Sequence, residues 1–311
     1  MTDPASVRTV LRCLVLLLIP AWQSGCSDER STDALTGIPV IYCTDLFHPP
    51  DDPDDHFDLA ALYALRELDV KGIVLDQGAR QEEHPGSIPV TQMNALTGRF
   101  VPWAIGLSEP LASPEDDAGD RPERYQAGAR LMIDILERTR EPVTMITVGS
   151  LRDVAAAFNR RPDLFFEKIE RLLIFIGEAS APTVEWNVGL DPNAFIRIMN
   201  SGLPVWWVPC FDGGNFRNHG KASFWRASQA DLLHEASDPL LNYFIHALVN
   251  REARDPLKYL AGEVDATARR EVLEMTRNLW CTAVFGVVAD RLIIERDGDW
   301  LAVPGDRVFE G

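Results

Sequence analysis

The sequence IPVIYCTDLFHPPDDPDDHFDLAALYALREL, residues 38–68, decides how this chain folds. It begins with an apolar, β-rich run that predicts a strand, and its leucines at 59, 62, 65 and 68 recur near the helical period, which predicts a helix. The turn between these elements is dense with Asp and Pro. Because open α/β sheets bind ligands at the carboxyl ends of their strands, this turn is a candidate ligand site.

The acidic residues of the turn have two interpretations. Asp-Pro clusters form ordinary solvated turns, and Asp in the first turn of a helix complements the helix dipole. However, five carboxylates in eleven residues repel one another unless a cation or a bound polyol compensates them, and hard oxygen ligands suit Ca²⁺ or Mg²⁺. We therefore favour a site. The five are Asp45, Asp51, Asp52, Asp54 and Asp55, with Asp58 expected in the first helical turn.

Strands and helices alternate along most of the chain. This alternation predicts an α/β fold with a mostly parallel sheet and helices on both faces. Residues 81–87 are expected to form a polar loop. After residue 211 helical segments dominate, which predicts a helical C-terminal region. Two β-like runs, 291–295 and 300–303, then predict a closing hairpin around Asp297-Gly298. Further strands are predicted at 70–75, 101–105, 143–148, 171–176 and 205–208.

Length and composition predict one globular domain, residues 37–311, for a chain of 311 residues that is 46% hydrophobic and 25% charged. The formal charge of −17 argues against nucleic acid as a partner, because that binding depends on Lys and Arg neutralising phosphates. An acidic site would repel polyanions and favour neutral or cationic small molecules.

The N-terminus has the pattern of an export signal. Arg8 and Arg12 precede an apolar run, residues 13–21, that is too short to span a bilayer. Ser24-Gly25-Cys26 follows, as a lipoprotein signal requires, so we expect residues 1–25 to be a signal peptide and Cys26 to carry a lipid anchor to the membrane. Residues 26–36 would form a polar tether of an exported, periplasmic or cell-envelope lipoprotein. The alternative is an ordinary cleaved signal peptide in which Cys26 has no role and carries no lipid.

A second polar stretch, VEWNVGLDP at residues 184–192, carries side chains that can hold sugar hydroxyls. Glu185 and Asn187 alternate with apolar neighbours, so in an extended segment they share one face. They supply an acceptor and a donor-acceptor pair. Asp191 precedes Pro192 at the expected start of a helix, where an N-cap is the simplest role for it.

Taken in order, these segments resemble the nucleoside hydrolase family, the inosine-uridine-preferring N-ribohydrolases. The resemblance covers about residues 37–210 and rests on several short motifs that are together fairly specific. These are the strand-end Asp45 with Asp54-Asp55-His56-Phe57-Asp58-Leu59, the strand Gly72-Ile73-Val74, the turn Gly149-Ser150-Leu151-Arg152-Asp153-Val154-Ala155, the run from Glu185 to Pro192, and Ser201-Gly202-Leu203-Pro204.

The resemblance implies metal-dependent hydrolysis of the N-glycosidic bond of a nucleoside or related riboside. Asp45, Asp55 and the backbone carbonyl of Val148 would bind Ca²⁺. Asp54 would hold the ribose diol and touch the attacking water, which makes Asp54 and Asp55 the expected catalytic residues. Glu185 and Asn187 would bind the remaining hydroxyls. The diol contacts would strengthen as positive charge develops in an oxocarbenium-like transition state.

The late part of the chain departs from the family pattern. There the family carries a His that protonates the leaving base and an Asp that completes the metal shell. The preferred match here is Trp280-Cys281-Thr282, which has neither residue. A competing match around Asp255 would restore the Asp but not the His. His48, in the insertion 47–53, is a candidate substitute acid.

The cysteines allow a further hypothesis. Cys43 stands where the family has Asp, as Cys281 does in the preferred match. If both line one pocket, they could form a disulfide or act as soft ligands that shift the preference toward Zn²⁺. Two unrelated buried thiols are the alternative. Trp280 could stack on a base or simply pack.

Loss of the proton donor keeps two other functions open. One is a non-catalytic nucleoside- or sugar-binding lipoprotein that retains the diol pocket. The other is hydrolysis of a different glycoside. In each case the partner is a small molecule, and the oligomeric state stays open, a homo-oligomer included.

Overall fold

The computed structural model describes residues 37–296 and 298–305. The expected signal peptide, the tether and the Cys26 anchor therefore lie outside the described residues. In the part of the chain that is described, none of the helices combines the length and the apolar character needed to cross a bilayer.

A six-stranded sheet forms the centre of the molecule. Its strands are β1 (Ile38–Thr44), β2 (Leu68–Leu75), β3 (Trp103–Ile105), β4 (Val143–Thr147), β5 (Ile169–Phe175) and β6 (Val205–Val208). Their order is β3-β2-β1-β4-β5-β6, and every neighbouring pair is parallel. The order reverses between β1 and β4, which is the position where such sheets bind ligands.

Thirteen α-helices surround this sheet within the described residues. They are α1 (Asp54–Ala64), α2 (Gly78–Glu83), α3 (Ser87–Thr97), α4 (Ala127–Arg138), α5 (Arg152–Arg160), α6 (Pro162–Lys168), α7 (Trp186–Leu190), α8 (Pro192–Met199), α9 (Gln229–Leu233), α10 (Asp238–Leu248), α11 (Pro256–Leu260), α12 (Ala266–Glu274) and α13 (Thr282–Val288).

The two faces of the sheet bury separate hydrophobic clusters. Along β1, Val40 and Tyr42 point to one face and Ile41 and Cys43 to the other, as the two-residue period of a strand requires. The first face packs against α1, α3, α10 and α13. The second packs against α4, α5, α6 and α8. The predicted fold class, a parallel sheet with helices on both faces, is confirmed.

The C-terminal region is helical, as predicted, from α9 to α13. It also contains a small antiparallel pair that the sequence analysis missed, β7 (Trp225–Ser228) with β8 (Thr276–Leu279). The closing hairpin is present as β9 (Arg291–Arg296) and β10 (Asp299–Pro304).

The first helix differs from its predicted bounds. It begins at Asp54, so Asp58 lies in its second turn, and it ends at Ala64 because Leu65 takes up an extended conformation. Leu68 is the first residue of β2, where it pairs with Ile38. The helical spacing of the leucines therefore overestimated the length of the helix, because Leu68 belongs to a buried strand.

The predicted polar loop at 81–87 is wrong, since α2 occupies its first half. Gln81 is buried there because three backbone groups satisfy its amide. Its Nε2 donates to the carbonyls of Leu46 and Asp76 at 3.1 and 3.0 Å, and its Oε1 accepts from the N–H of Gly86 at 2.8 Å.

His48 is buried in the core rather than at the acidic turn. It is 4% exposed, and its ring stacks on that of His246, with centroids 4.4 Å apart and planes at 8°. Its Nε2 lies 3.1 Å from the carbonyl oxygen of Arg251. His56 is fully buried beside this stack. We call His48 and His246 the histidine pair.

The histidine pair predicts a loss of stability in acid. Burial, together with the neighbouring His246, lowers the pKa of His48 to about 4. The folded state therefore disfavours protonation, and stability should fall as the pH drops from about 6.5 to about 4. We expect the difference in free energy of unfolding between wild type and His48→Gln to shrink by up to about 3 kcal/mol across that range.

Urea titrations of both proteins at several pH values measure this difference. His234→Gln is the control, because the side chain of His234 is half exposed. A difference between wild type and His48→Gln that does not vary with pH would contradict the prediction.

Candidate active site

A cavity of about 510 Å³ opens at the carboxyl ends of the sheet strands. It lies at the reversal between β1 and β4, because Asp45 follows β1 and Val148 follows β4. We call it the site cavity. Its other lining residues are Phe47, Asp51, Asp52, Asp54, Asp55, Arg80, Phe175, Val184, Glu185, Trp186, Asn187, Cys210, Phe211, Asn215, Phe216, Trp280 and Cys281.

The acidic side of the cavity comes from the end of β1 and the start of α1. Asp54 and Asp55 occupy the first turn of α1, where the helix dipole favours negative charge. The hydroxyl of Thr44 donates to Oδ1 of Asp55 at 2.7 Å. Nε2 of Gln77 lies 3.5 Å from Oδ2 of Asp45, at the limit of a hydrogen bond.

Among the described residues, no Lys or Arg side chain forms an ion pair with Asp45, Asp54 or Asp55. Burial, with repulsion from Asp76, raises the pKa of Asp45 to about 7. Burial and repulsion from Asp55 raise the pKa of Asp54, and burial and Asp45 raise that of Asp55. Three acids that resist ionisation side by side are a sign of a site built for positive charge.

Glu185 and Asn187 face the same cavity, but not from an extended segment as predicted. Residues 186–190 form α7, and Glu185 is its N-cap. Oε1 of Glu185 accepts from the N–H of Asn187 at 3.0 Å, and Oε2 accepts from that of Gly177 at 2.9 Å. Nδ2 of Asn187 donates to the carbonyl of Val148 at 3.0 Å, which ties α7 to the end of β4.

The donor chemistry of the cavity fits Ca²⁺. Asp45, Asp55 and the Val148 carbonyl offer only oxygen atoms, the ligands that hard cations prefer. The Val148 carbonyl accepts from Asn187 and keeps a second lone pair. However, no three His, Cys, Asp or Glu side chains within residues 37–296 and 298–305 are gathered closely enough to hold a metal ion. A cation would have to draw these carboxylates together.

The hypothesis that Cys43 and Cys281 approach each other is wrong. Cys43 packs on the second face of the sheet, with its Sγ 3.9 Å from Sδ of Met132. Cys281 lies on the first face and lines the site cavity, and both thiols are free. The proposed thiolate pair for Zn²⁺ therefore does not form. Cys210, which the sequence analysis did not single out, lines the cavity with Cys281.

Asp191 and Asp255, which the sequence analysis considered, are helix caps outside the cavity. Asp191 accepts from the N–H groups of Ala194 at 2.9 Å and Leu111 at 2.8 Å, as an N-cap of α8. Asp255 accepts from the N–H of Lys258 at 3.0 Å and caps α11. His48, as described, is also outside the cavity, so none of these three residues reaches a ligand there.

Aromatic residues also line the cavity. Phe211, Phe216 and Trp280, which we call the aromatic wall, pack with ring centroids 5.4 to 6.5 Å apart. The sequence analysis considered only Trp280. Phe211 lies three residues beyond the end of β6, so the rule that ligands bind beyond strand ends could have found it. Phe216 lies in a glycine-containing loop with no motif to mark it.

Glu178 fixes the loop that carries this wall. Its carboxylate accepts from the N–H groups of Ser180 (2.8 Å), Ala181 (2.9 Å), Gly213 (3.0 Å) and Gly214 (2.8 Å). Against the opposing effect of burial, these four hydrogen bonds lower the pKa of Glu178 to about 2. The segment after β5 and the segment after β6 are thereby joined through one side chain.

Among the residues that the structure describes, the cavity lacks the imidazole that serves as proton donor in the family pattern, and its carboxyls of raised pKa are the groups expected to hold the cation and the sugar. Among its lining residues, all in the described part of the chain, there is no His, Lys or Tyr. Its one guanidinium, that of Arg80, pairs with Asp51 and lies 4.4 Å from the ring centroid of Phe47. The missing His of the late motif is therefore not replaced in space.

Together these features define a class of protein, an α/β fold with an acidic cavity where the strand order of a parallel sheet reverses. The chain belongs to the inosine-uridine preferring nucleoside hydrolase family, whose sequence model matches residues 50–259. The resemblance seen in the motifs is thus confirmed.

Individual relatives are distant. The chain is 27% identical over 244 residues to the non-specific ribonucleoside hydrolase RihC of Klebsiella pneumoniae (strain 342), covering 70% of this chain and 74% of that protein. It is 28% identical over 191 residues to the pyrimidine-specific ribonucleoside hydrolase RihA of Escherichia coli O1:K1 / APEC, covering 54% and 58%. The solved structure of the effector protein XOO4466 has a TM-score of 0.50 at 16% identity, covering 99% of this chain and 95% of that one, a likeness of fold alone.

Proposed function

We propose that this protein hydrolyses the N-glycosidic bond of a ribonucleoside or a related N-riboside. One observation carries the proposal. The acidic turn 45–55 and the run 184–192, which are far apart in sequence, bring Asp54, Asp55, Glu185 and Asn187 to one cavity. Membership of the nucleoside hydrolase family supports the same reaction.

The sugar would be held by side chains whose positions are already fixed. Asp54 is in the first turn of α1 and offers a carboxylate to a ribose diol. Glu185 is held by three backbone N–H groups, and its Oε1, which accepts only one of them, retains a lone pair for a hydroxyl. Side chains fixed in this way lose little entropy when the substrate binds.

Asp45, Asp55 and the carbonyl of Val148 are the groups that would hold Ca²⁺. When bound, the ion would supply positive charge that lowers the pKa of a water molecule. Asp54 would orient that water toward the anomeric carbon and accept its proton. Its carboxylate would also stabilise the positive charge that develops on the sugar ring.

A binding protein without turnover is the second candidate. The observation that favours it is the lack of a His, Lys or Tyr among the described residues that line the cavity. A neutral base leaves poorly unless it is protonated. Such a protein would keep the diol contacts and release the ligand unchanged.

A substrate pair separates the two candidates. We expect p-nitrophenyl riboside, whose leaving group needs no proton, to be cleaved at least a hundredfold faster than uridine in the presence of Ca²⁺, since general acid catalysis is typically worth about 10²–10⁴. Release of nitrophenolate, followed by absorbance, measures this. Ribose binding by calorimetry with no cleavage of either compound would instead favour the binding protein.

A further inference from the structure

We propose that the preferred substrates are N-ribosides whose leaving group is a positively charged aromatic ring, N-ribosylpyridinium compounds being the simplest. This inference rests on the proposed hydrolase function and names its substrate class. Three properties of the site cavity lead to it, namely its charge, its aromatic wall and its lack of a proton donor.

The charge of the lining selects cations. Six carboxylates face the cavity, and within the described residues only two of them pair with a guanidinium, Asp51 with Arg80 and Asp52 with Arg277 at 3.5 Å. The lining stays negative even when a divalent cation is counted. The carboxylates are those of Asp45, Asp51, Asp52, Asp54, Asp55 and Glu185. A cleft of one charge sign concentrates ligands of the opposite sign.

The aromatic wall suits a flat cation. The faces of Phe and Trp rings carry partial negative charge and attract a cation placed over them. Phe211 and Trp280 meet edge to face, with centroids 5.8 Å apart, and Phe216 is 52% exposed at the mouth. Trp186, which is 69% exposed, lines the cavity as well. A pyridinium ring could therefore stack on the wall while its sugar reaches Asp54 and Glu185.

The lack of a proton donor matters only for a neutral leaving group. A purine or pyrimidine departs as an anion unless it is protonated, and the described lining offers neither imidazole nor ammonium. The thiols of Cys210 and Cys281 are poor acids, because burial raises the pKa of each. A pyridinium ring departs as a neutral molecule and needs no proton.

The reaction balances without a further reactant. The oxygen of water forms a bond to the anomeric carbon as the carbon–nitrogen bond breaks. The electron pair of that bond goes to the ring nitrogen and cancels its positive charge. The proton that water loses passes to Asp54 and then to solvent. The products are ribose and a neutral pyridine.

A pair of inhibitors with the same ring and different charge tests the preference apart from leaving-group reactivity. The 1-methylnicotinamide cation and neutral nicotinamide share a ring and differ in charge. We expect the cation to inhibit cleavage of p-nitrophenyl riboside with an inhibition constant at least tenfold lower. Equal constants would overturn the substrate class while leaving the proposed hydrolysis intact. Absence of any nitrophenyl riboside cleavage would overturn both.

A second measurement tests whether the cation stacks on the aromatic wall. We expect Trp280→Leu to lower kcat/KM for nicotinamide riboside about tenfold, as loss of a cation–π contact predicts, and that for p-nitrophenyl riboside less than threefold. Trp280→Phe should restore most of the loss. Equal losses on both substrates would overturn the stacking. If Trp280→Leu fails to fold, judged by circular dichroism, the inhibitor pair still decides the proposal on the wild-type protein.

Discussion

Replacing Asp54 with Asn is expected to lower kcat/KM for p-nitrophenyl riboside by about a thousandfold or more, the size seen when a positioned base and an electrostatic stabiliser are lost together. The substitution keeps the shape of the side chain and removes its charge. Because burial and Asp55 already raise the pKa of Asp54, loss of the charge should relieve repulsion. We therefore expect the variant to melt no earlier than wild type in the absence of calcium.

Asp51→Asn is the matched control, because the side chain of Asp51 is 61% exposed and pairs with Arg80. Its kcat/KM should fall less than tenfold. An Asp54→Asn protein that retains activity within threefold of wild type would remove Asp54 from the reaction. Together, lost activity and kept stability separate a functional carboxylate from a structural one.

Calcium is expected to raise the melting temperature of the wild-type protein by about 5 °C at a concentration a hundredfold above its dissociation constant. The physical reason is the mutual repulsion of Asp45, Asp54 and Asp55, which a bound cation would offset. The measurement belongs at pH 8, because the pKa of Asp45 is raised to about 7 and the carboxylate must ionise to bind.

Differential scanning fluorimetry in calcium and in chelator gives the shift. Asp45→Asn and Asp55→Asn should each lose most of it, while Asp255→Asn, which changes a helix cap outside the site cavity, should keep it. A wild-type melting temperature that calcium leaves unchanged, or an equal shift in all three variants, would exclude this metal site.

Much of the fold follows from local patterns. The run 38–68 predicts β1, the acidic turn and α1, and the alternation of strands and helices predicts the parallel sheet. It also follows that Asp45 and Val148 lie at the same edge of the sheet, because each comes directly after a parallel strand and such strand ends share one edge. What remained hidden is the pairing order that makes β1 and β4 neighbours, which depends on contacts across the sheet.

The predictions were wrong where the position of a side chain depends on residues far away in the sequence. Cys43 and Tyr42 must face opposite ways in a strand, but which face meets Cys281 depends on the path of the last helices. His48 is buried against His246, a residue almost two hundred positions later in the sequence. The run around Glu185 was too short to show a period, so a one-turn helix was mistaken for a strand.

The hydrogen bonds of Glu178 have a consequence for engineering. Because one carboxylate joins the segment after β5 to Gly213 and Gly214, the loop bearing Phe216 is not an independent module. In a chimera that takes only residues 211–224 from a related protein, the carboxylate of Glu178 would face a backbone that does not present the same N–H groups. Exchanging specificity between such proteins would require both segments to be transplanted as a single unit.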